Sequence, residues 1–169
     1  MDEKILNQLS IELGNRLKQK KLSVTCAESC TGGWVAKVIT DIAGSSAYFN
    51  RGFVTYSNDA KHEMLGVSLA SLAQFGAVSE QVAKEMAMGA LKIAEADFAI
   101  AVTGIAGPDG GSEEKPTGTV WFGFAFCFDE DVQVLTYRQN FEGDRHAVRL
   151  QSVIFSLKIL LEEIIKKLA

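Results

Sequence analysis

The sequence predicts an α/β fold, a three-layer α/β/α sandwich around a mixed parallel/antiparallel sheet. Three observations predict it. Helical and strand-like patterns alternate along most of the chain. Residues 98–103 form a continuous apolar run, as expected of a central strand covered on both faces. Residues 119–128 and 132–141 are neighbouring strand patterns that pair as a hairpin across Asp129-Glu-Asp131, which adds antiparallel partners to the sheet. The length of 169 residues fits a single domain over 1–169 with room for a sizeable core.

In chain order, Ile5, Leu6, Leu9, Leu13 and Leu17 mark one face of a helix over 3–20. Residues 22–27 read as a strand, and 33–42 as a helix ending near Gly44. Aromatic and β-branched residues (Tyr48, Phe49, Phe53, Val54, Tyr56) predict a strand over 47–57. A short helix over 59–65 is capped by Asn58 or Asp59. Ser79 caps a long helix rich in Ala, Met, Lys and Glu that runs to about Ala96. Residues 104–116 form the loop richest in Gly and Pro. The last helix runs from about Asp144 to Leu168, with Val148, Val153, Ile154, Leu157, Leu161 and Ile164 turned inward.

Hydrophobic residues make up 47% and charged residues 22%, ordinary for a globular protein. The net charge of -4 argues against nucleic-acid binding. No apolar run is long enough to cross a bilayer, and the acidic amphipathic start is unlike a signal peptide, so the cytoplasm is the expected compartment. Three cysteines (Cys26, Cys30, Cys127) and no secretory signal argue against a disulfide framework. With only His62 and His146 available, no metal site and no cofactor are expected.

The stretch Val24-Thr-Cys-Ala-Glu-Ser-Cys-Thr-Gly-Gly33 places Ser29 in a tight turn between a strand end and a helix start. Unpaired N–H groups and the positive end of the helix dipole meet there. Ser29 reads in two ways, as a helix cap or as a nucleophile whose oxyanion those N–H groups stabilise. A nucleophile needs a base. Gly-x-Ser-x-Gly is absent and neither histidine has an evident acid partner, which leaves lysine. Lys61, in Tyr56-Ser-Asn-Asp-Ala-Lys61, follows the next strand, so two strands ending at one sheet edge bring Ser29, Tyr56 and Lys61 together. Lys61 also reads as a solvated helix lysine. Thr103-Gly-Ile-Ala-Gly-Pro-Asp-Gly-Gly111 follows a strand and is either a ligand loop or an ordinary turn; it matches neither the P-loop nor the dinucleotide pattern. Arg145, at the start of the last helix, suits a bound anion or pairs with Glu142 or Asp144.

Ala27-Glu-Ser-Cys-Thr-Gly-Gly33, Tyr56-Ser-Asn-Asp-Ala-Lys61, Gly76-Ala-Val-Ser79, Thr103-Gly-Ile-Ala-Gly-Pro108, Lys115-Pro-Thr-Gly-Thr-Val120 and the Gly143-Asp-Arg145 segment after Phe141 resemble, in order and over residues 5–168, the CinA C-terminal domain family. Its characterised members are nicotinamide-nucleotide amidases. The resemblance implies a metal-independent hydrolysis of nicotinamide mononucleotide to nicotinate mononucleotide and ammonia, in pyridine nucleotide salvage. It implies Ser29 as nucleophile, Lys61 as general base and Tyr56 as the hydrogen-bonding partner that orients them. It also implies Glu28, Thr31, Gly32, Gly33, Thr103, Gly104, Gly107 and Arg145 as substrate-binding residues. Among these, Arg145 and the 103–108 loop would hold phosphate and ribose, and Gly32 and Gly33 would supply N–H groups. A homodimer is expected by the same analogy. The reading that competes is a non-catalytic binder of a pyridine nucleotide or of a competence-related protein.

Overall fold

The computed structural model describes residues 2–168. Its helices are α1 (Asp2–Lys20), α2 (Trp34–Thr40), α3 (Asn58–Leu65), α4 (Leu69–Phe75), α5 (Glu80–Ala94) and α6 (Arg145–Leu168). Its strands are β1 (Val24–Glu28), β2 (Phe53–Val54), β3 (Phe98–Gly104), β4 (Thr119–Phe128) and β5 (Asp131–Asn140). The five strands form one sheet in the order β2-β1-β3-β4-β5. The first three are parallel, and β4 and β5 run antiparallel to their neighbours. Helices cover both faces, so the mixed three-layer architecture is as expected.

Side-chain size along β3 and β4 decides how each face is covered. Phe98, Ile100, Val102, Val120, Phe122, Phe124 and Phe126 point to the layer of α1, α2 and α6. Ala99, Ala101 and Ala125 point to α5 and its neighbours. Alternation in size follows from the two-residue period of a strand. The small face lets α5 sit close: a Cβ added at Gly123 would lie 2.5 Å from the carbonyl oxygen of Ala83. The large face needs the long α6, whose Phe155 meets Phe122 at 4.5 Å between ring centroids.

The segment 47–57 departs from expectation. Only Phe53–Val54 forms a strand, with a 3-10 turn at Ser45–Ala47 and an isolated parallel bridge between Val24 and Phe49. Tyr48 and Phe49 are in the core rather than on a pleated surface. Their aromatic character records burial, a property that strand propensity also measures. Helix α4 was not expected, although Ser68 caps its start by accepting from the Ser71 amide and Gly76 ends it. Helix α3 is capped by Ser57, which accepts from the Ala60 amide at 3.0 Å, rather than by Asn58 or Asp59.

The carboxyl ends of β1, β2 and β3 share one edge of the sheet. From β1 the chain crosses to β2 through α2 on one face, and from β2 to β3 through α3–α5 on the other. Strand β1 is therefore the switch point, where a crevice opens outside the strand ends.

Candidate active site

Ser29 follows β1 directly. Its N–H donates to the Val102 carbonyl at 3.0 Å, and its own carbonyl accepts from Gly32 N–H at 3.1 Å. The resulting turn needs left-handed backbone at Gly32 (φ 57°) and Gly33 (φ 99°). Beneath it, the fully buried Glu28 carboxylate accepts from Thr31 Oγ1 at 2.6 Å, Val35 N–H at 2.8 Å and Ala36 N–H at 3.0 Å. A carboxylate on those amides neutralises the start of α2.

This corrects two expectations. Glu28 and Thr31 are not on the substrate side: both are buried and bonded to each other below the turn. The first amides of α2 are taken as well: Trp34 N–H donates to the Thr31 carbonyl at 3.1 Å, and the Val35 and Ala36 N–H groups donate to Glu28. Gly32 and Gly33 shape the turn, and neither lines the cavity beside Ser29.

Lys61, on the first turns of α3, is 1% exposed. Its Nζ lies 2.9 Å from Ser29 Oγ, 3.0 Å from the Thr55 carbonyl and 3.1 Å from the Tyr56 carbonyl. It makes no ion pair among the described residues. Burial lowers its pKa from 10.5 to about 8, against a smaller opposing effect of Cys30. Lys61 Nζ donates in all three contacts, the number an ammonium provides. Loss of one proton would leave a lone pair beside the Ser29 hydroxyl. Cys30 is no rival nucleophile, since burial pushes its thiol up to about 12 and keeps it protonated near neutral pH.

Tyr56 differs from expectation in the atom it uses. Its backbone carbonyl touches both Lys61 Nζ and, at 3.4 Å, Ser29 Oγ. Its phenol is 62% exposed and accepts from Arg145 Nη2 at 3.1 Å. Arg145 also donates through Nη1 to the Gly107 carbonyl at 2.8 Å. It pairs with neither Glu142 nor Asp144; Asp144 instead caps α6 by accepting from Ala147 N–H at 2.9 Å. Thr103 donates to the Ala77 carbonyl at 2.9 Å and so ties the 76–79 segment to the end of β3.

These groups line a cavity of about 240 Å³ with Ser29, Cys30, Tyr56, Lys61, Thr103, Gly104, Ala106 and Arg145 on its walls. Asn58, Ala77 and Val78 complete it, and none of the three was anticipated. Arg149 was also missed. It donates to the carbonyls of Cys30 and Thr31 at 3.1 and 3.2 Å, and the only signal for it was its position one helical turn after Arg145. A larger apolar cavity of about 430 Å³, between α5 and the β4–β5 hairpin, holds no nucleophile paired with a base.

A serine hydroxyl 2.9 Å from a buried lysine amine that has no acid partner among the described residues, at the switch point of an α/β sheet, is a geometry in which the amine can take the hydroxyl proton. The CinA C-terminal domain model matches residues 6–164, and the chain belongs to that family. It is 66% identical to the nicotinamide-nucleotide amidohydrolase PncC of Enterobacter agglomerans, over 98% of this chain and 99% of that one. It is 59% identical to the protein of the same name from Escherichia coli K12, with the same coverage of both chains. Among solved structures it resembles the competence/damage inducible protein CihA of Agrobacterium tumefaciens, with TM-score 0.89 and 45% identity over 94% of each chain. No helix among the described residues is long and apolar enough to cross a membrane.

Proposed function

We propose that the protein is a nicotinamide-nucleotide amidohydrolase, which converts nicotinamide mononucleotide to nicotinate mononucleotide and ammonia through an acyl-enzyme on Ser29. The observation that carries the mechanism is the 2.9 Å contact between Ser29 Oγ and a buried, unpaired Lys61 amine. The names of the relatives supply the substrate.

In the first step Lys61 Nζ takes the Ser29 proton while Oγ forms a bond to the carboxamide carbon. The pyridinium ring withdraws electrons and makes that carbon more electrophilic. The tetrahedral intermediate collapses as the protonated Lys61 gives its proton to the departing nitrogen, and ammonia leaves. Water then attacks the ester, with Lys61 taking its proton and returning it to Ser29 as the C–O bond breaks. Arg145 is exposed at the cavity wall and offers a planar fork for the substrate phosphate. Thr103 and Gly104 shape the wall beside the ribose, and Gly107, which does not line the cavity, holds Arg145 through its carbonyl. Tyr56 holds the pair through its carbonyl and Arg145 through its phenol.

The same reading places the enzyme in pyridine nucleotide salvage in the cytoplasm, as a homodimer. Val54 on β2 and Leu69 and Phe75 on α4 are each exposed, apolar side chains of the kind that self-association would cover. Light scattering during gel filtration reads the mass, and a monomer at micromolar concentration rejects the dimer.

Ammonia release from nicotinamide mononucleotide tests the activity, with chelator present and free nicotinamide as control substrate. Wild type is expected to release ammonia from the nucleotide, and Ser29→Ala to release none. Activity retained in Ser29→Ala rejects the nucleophile. A folded wild type with no activity favours the non-catalytic binder.

A further inference from the structure

Arg149 has no partner in the chemistry described so far, yet it is bound at the back of the catalytic turn. Its Nε donates to the Cys30 carbonyl at 3.1 Å and its Nη2 to the Thr31 carbonyl at 3.2 Å, across 119 and 118 residues of sequence. Its guanidinium lies 5.8 Å from the centre of the Trp34 ring. It does not line the cavity that holds Ser29 and Lys61, whereas Arg145, one turn earlier on α6, does.

A planar trans peptide points its carbonyl and its N–H in opposite directions. With the Thr31 carbonyl turned to Arg149, the N–H of Gly32 on the same peptide points the other way, and there it meets the Ser29 carbonyl at 3.1 Å. The guanidinium is thus linked through one peptide to the backbone of the nucleophile. Ser29 is held on its other side by Val102. A charge-assisted bond on a carbonyl polarises the peptide and strengthens the N–H opposite. Gly32 is part of the same fit: a Cβ there would lie 3.3 Å from Arg149 Nη2.

We propose that Arg149 is a positioning residue for the amidase reaction, holding the 29–32 turn from behind so that Ser29 Oγ stays on the Lys61 amine. This rests on Ser29 being the nucleophile. Helix α6 then delivers two cations with different work: Arg145 in front of the turn faces substrate, and Arg149 behind it faces two backbone carbonyls and the Trp34 ring. Lysine is not equivalent to Arg149 here, because the two carbonyls are met by two separate nitrogens of a rigid flat fork, Nε and Nη2, where an ammonium offers one nitrogen on a flexible stem.

The test uses the full-length protein with nicotinamide mononucleotide, comparing wild type, Arg149→Lys, Arg149→Gln and Arg149→Ala. Folding is checked by thermal unfolding. Two readouts separate positioning from general damage: the split between kcat and KM, and the rate at which a small fluorophosphonate labels Ser29. Both Arg149→Lys and Arg149→Gln are expected to lose about 100-fold in kcat with KM within a few-fold, as a misplacement of order 1 Å does. Labelling is expected to slow in proportion, and millimolar guanidinium to restore part of the kcat of Arg149→Ala where ammonium does not. Unchanged kcat, a loss confined to KM, or wild-type labelling in a folded variant overturns the proposal. Ser29→Ala, run alongside, is expected to be inactive and unlabelled; activity there overturns the nucleophile itself and is distinguishable from failure of the Arg149 role.

Discussion

Lys61 carries two opposite demands at one atom. The folded protein must hold an amine away from water, and the proposed reaction needs that amine neutral. Burial meets both by lowering the pKa to about 8 from 10.5. Activity is therefore expected to rise as pH increases through about 8, read as kcat/KM for ammonia release. The stability consequence has the same sign. Between about 8 and 10.5 the unfolded chain binds a proton that the folded one does not, so this group favours folding more as pH rises through that window. Below it the cost is present in full, and a displacement of that size corresponds to about 3 kcal/mol. Lys61→Met is expected to abolish ammonia release and to raise the melting temperature near neutral pH. A melting temperature that falls would show that the three hydrogen bonds outweigh desolvation.

At the scale of elements, the turn between β1 and α2 depends on Glu28, which was expected on the substrate and instead caps the helix from below. Removing it leaves the Val35 and Ala36 amides and the Thr31 hydroxyl without their acceptor. Glu28→Ala is expected to lower stability by at least about 2 kcal/mol, measured by urea unfolding, because orphaned buried donors cost about 1–3 kcal/mol each. Tyr48 gives the converse case. Its hydroxyl is buried against α1 with no hydrogen-bond partner among the described residues, and burial raises its pKa. Tyr48→Phe is expected to be neutral or stabilising by up to about 1 kcal/mol in the same measurement. Tyr48 also shows why the 47–57 segment misled: its aromatic pattern marks a buried loop passing beneath α1 that reaches the sheet edge at Phe53 and Val54 and at the single bridge of Phe49. Strands β3 to β5 and helices α1, α5 and α6 were legible because each repeats its period over several turns or pairs. Helix α4, at seven residues, has too little periodicity to stand out beyond its caps.

Across the whole molecule, the cavity is assembled from segments far apart in the chain: the turn after β1, the start of α3, the end of β3 and the first turn of α6. Arg145 spans that distance by donating to both Gly107 and Tyr56. Arg145→Gln is expected to raise KM for the nucleotide by about 10- to 100-fold with little change in kcat, since charge-assisted bonds to phosphate are worth about 1.5–3 kcal/mol. A fall in kcat with unchanged KM would move Arg145 from substrate binding to positioning of Tyr56.

By itself the sequence determined the layer architecture and the order of most elements, because period, cap and turn signals are local; it offered the meeting of Ser29 with Lys61 as one of two readings, which the family resemblance favoured. Only the tertiary structure decided which atoms do the work. It turned Glu28 and Thr31 beneath the turn, gave Tyr56's carbonyl rather than its phenol to the Ser–Lys pair, and brought Arg149 behind Ser29. The physical reason is that a side chain's partner depends on which face of its element is buried and on what the rest of the chain packs against it. Its neighbours in sequence do not carry that information.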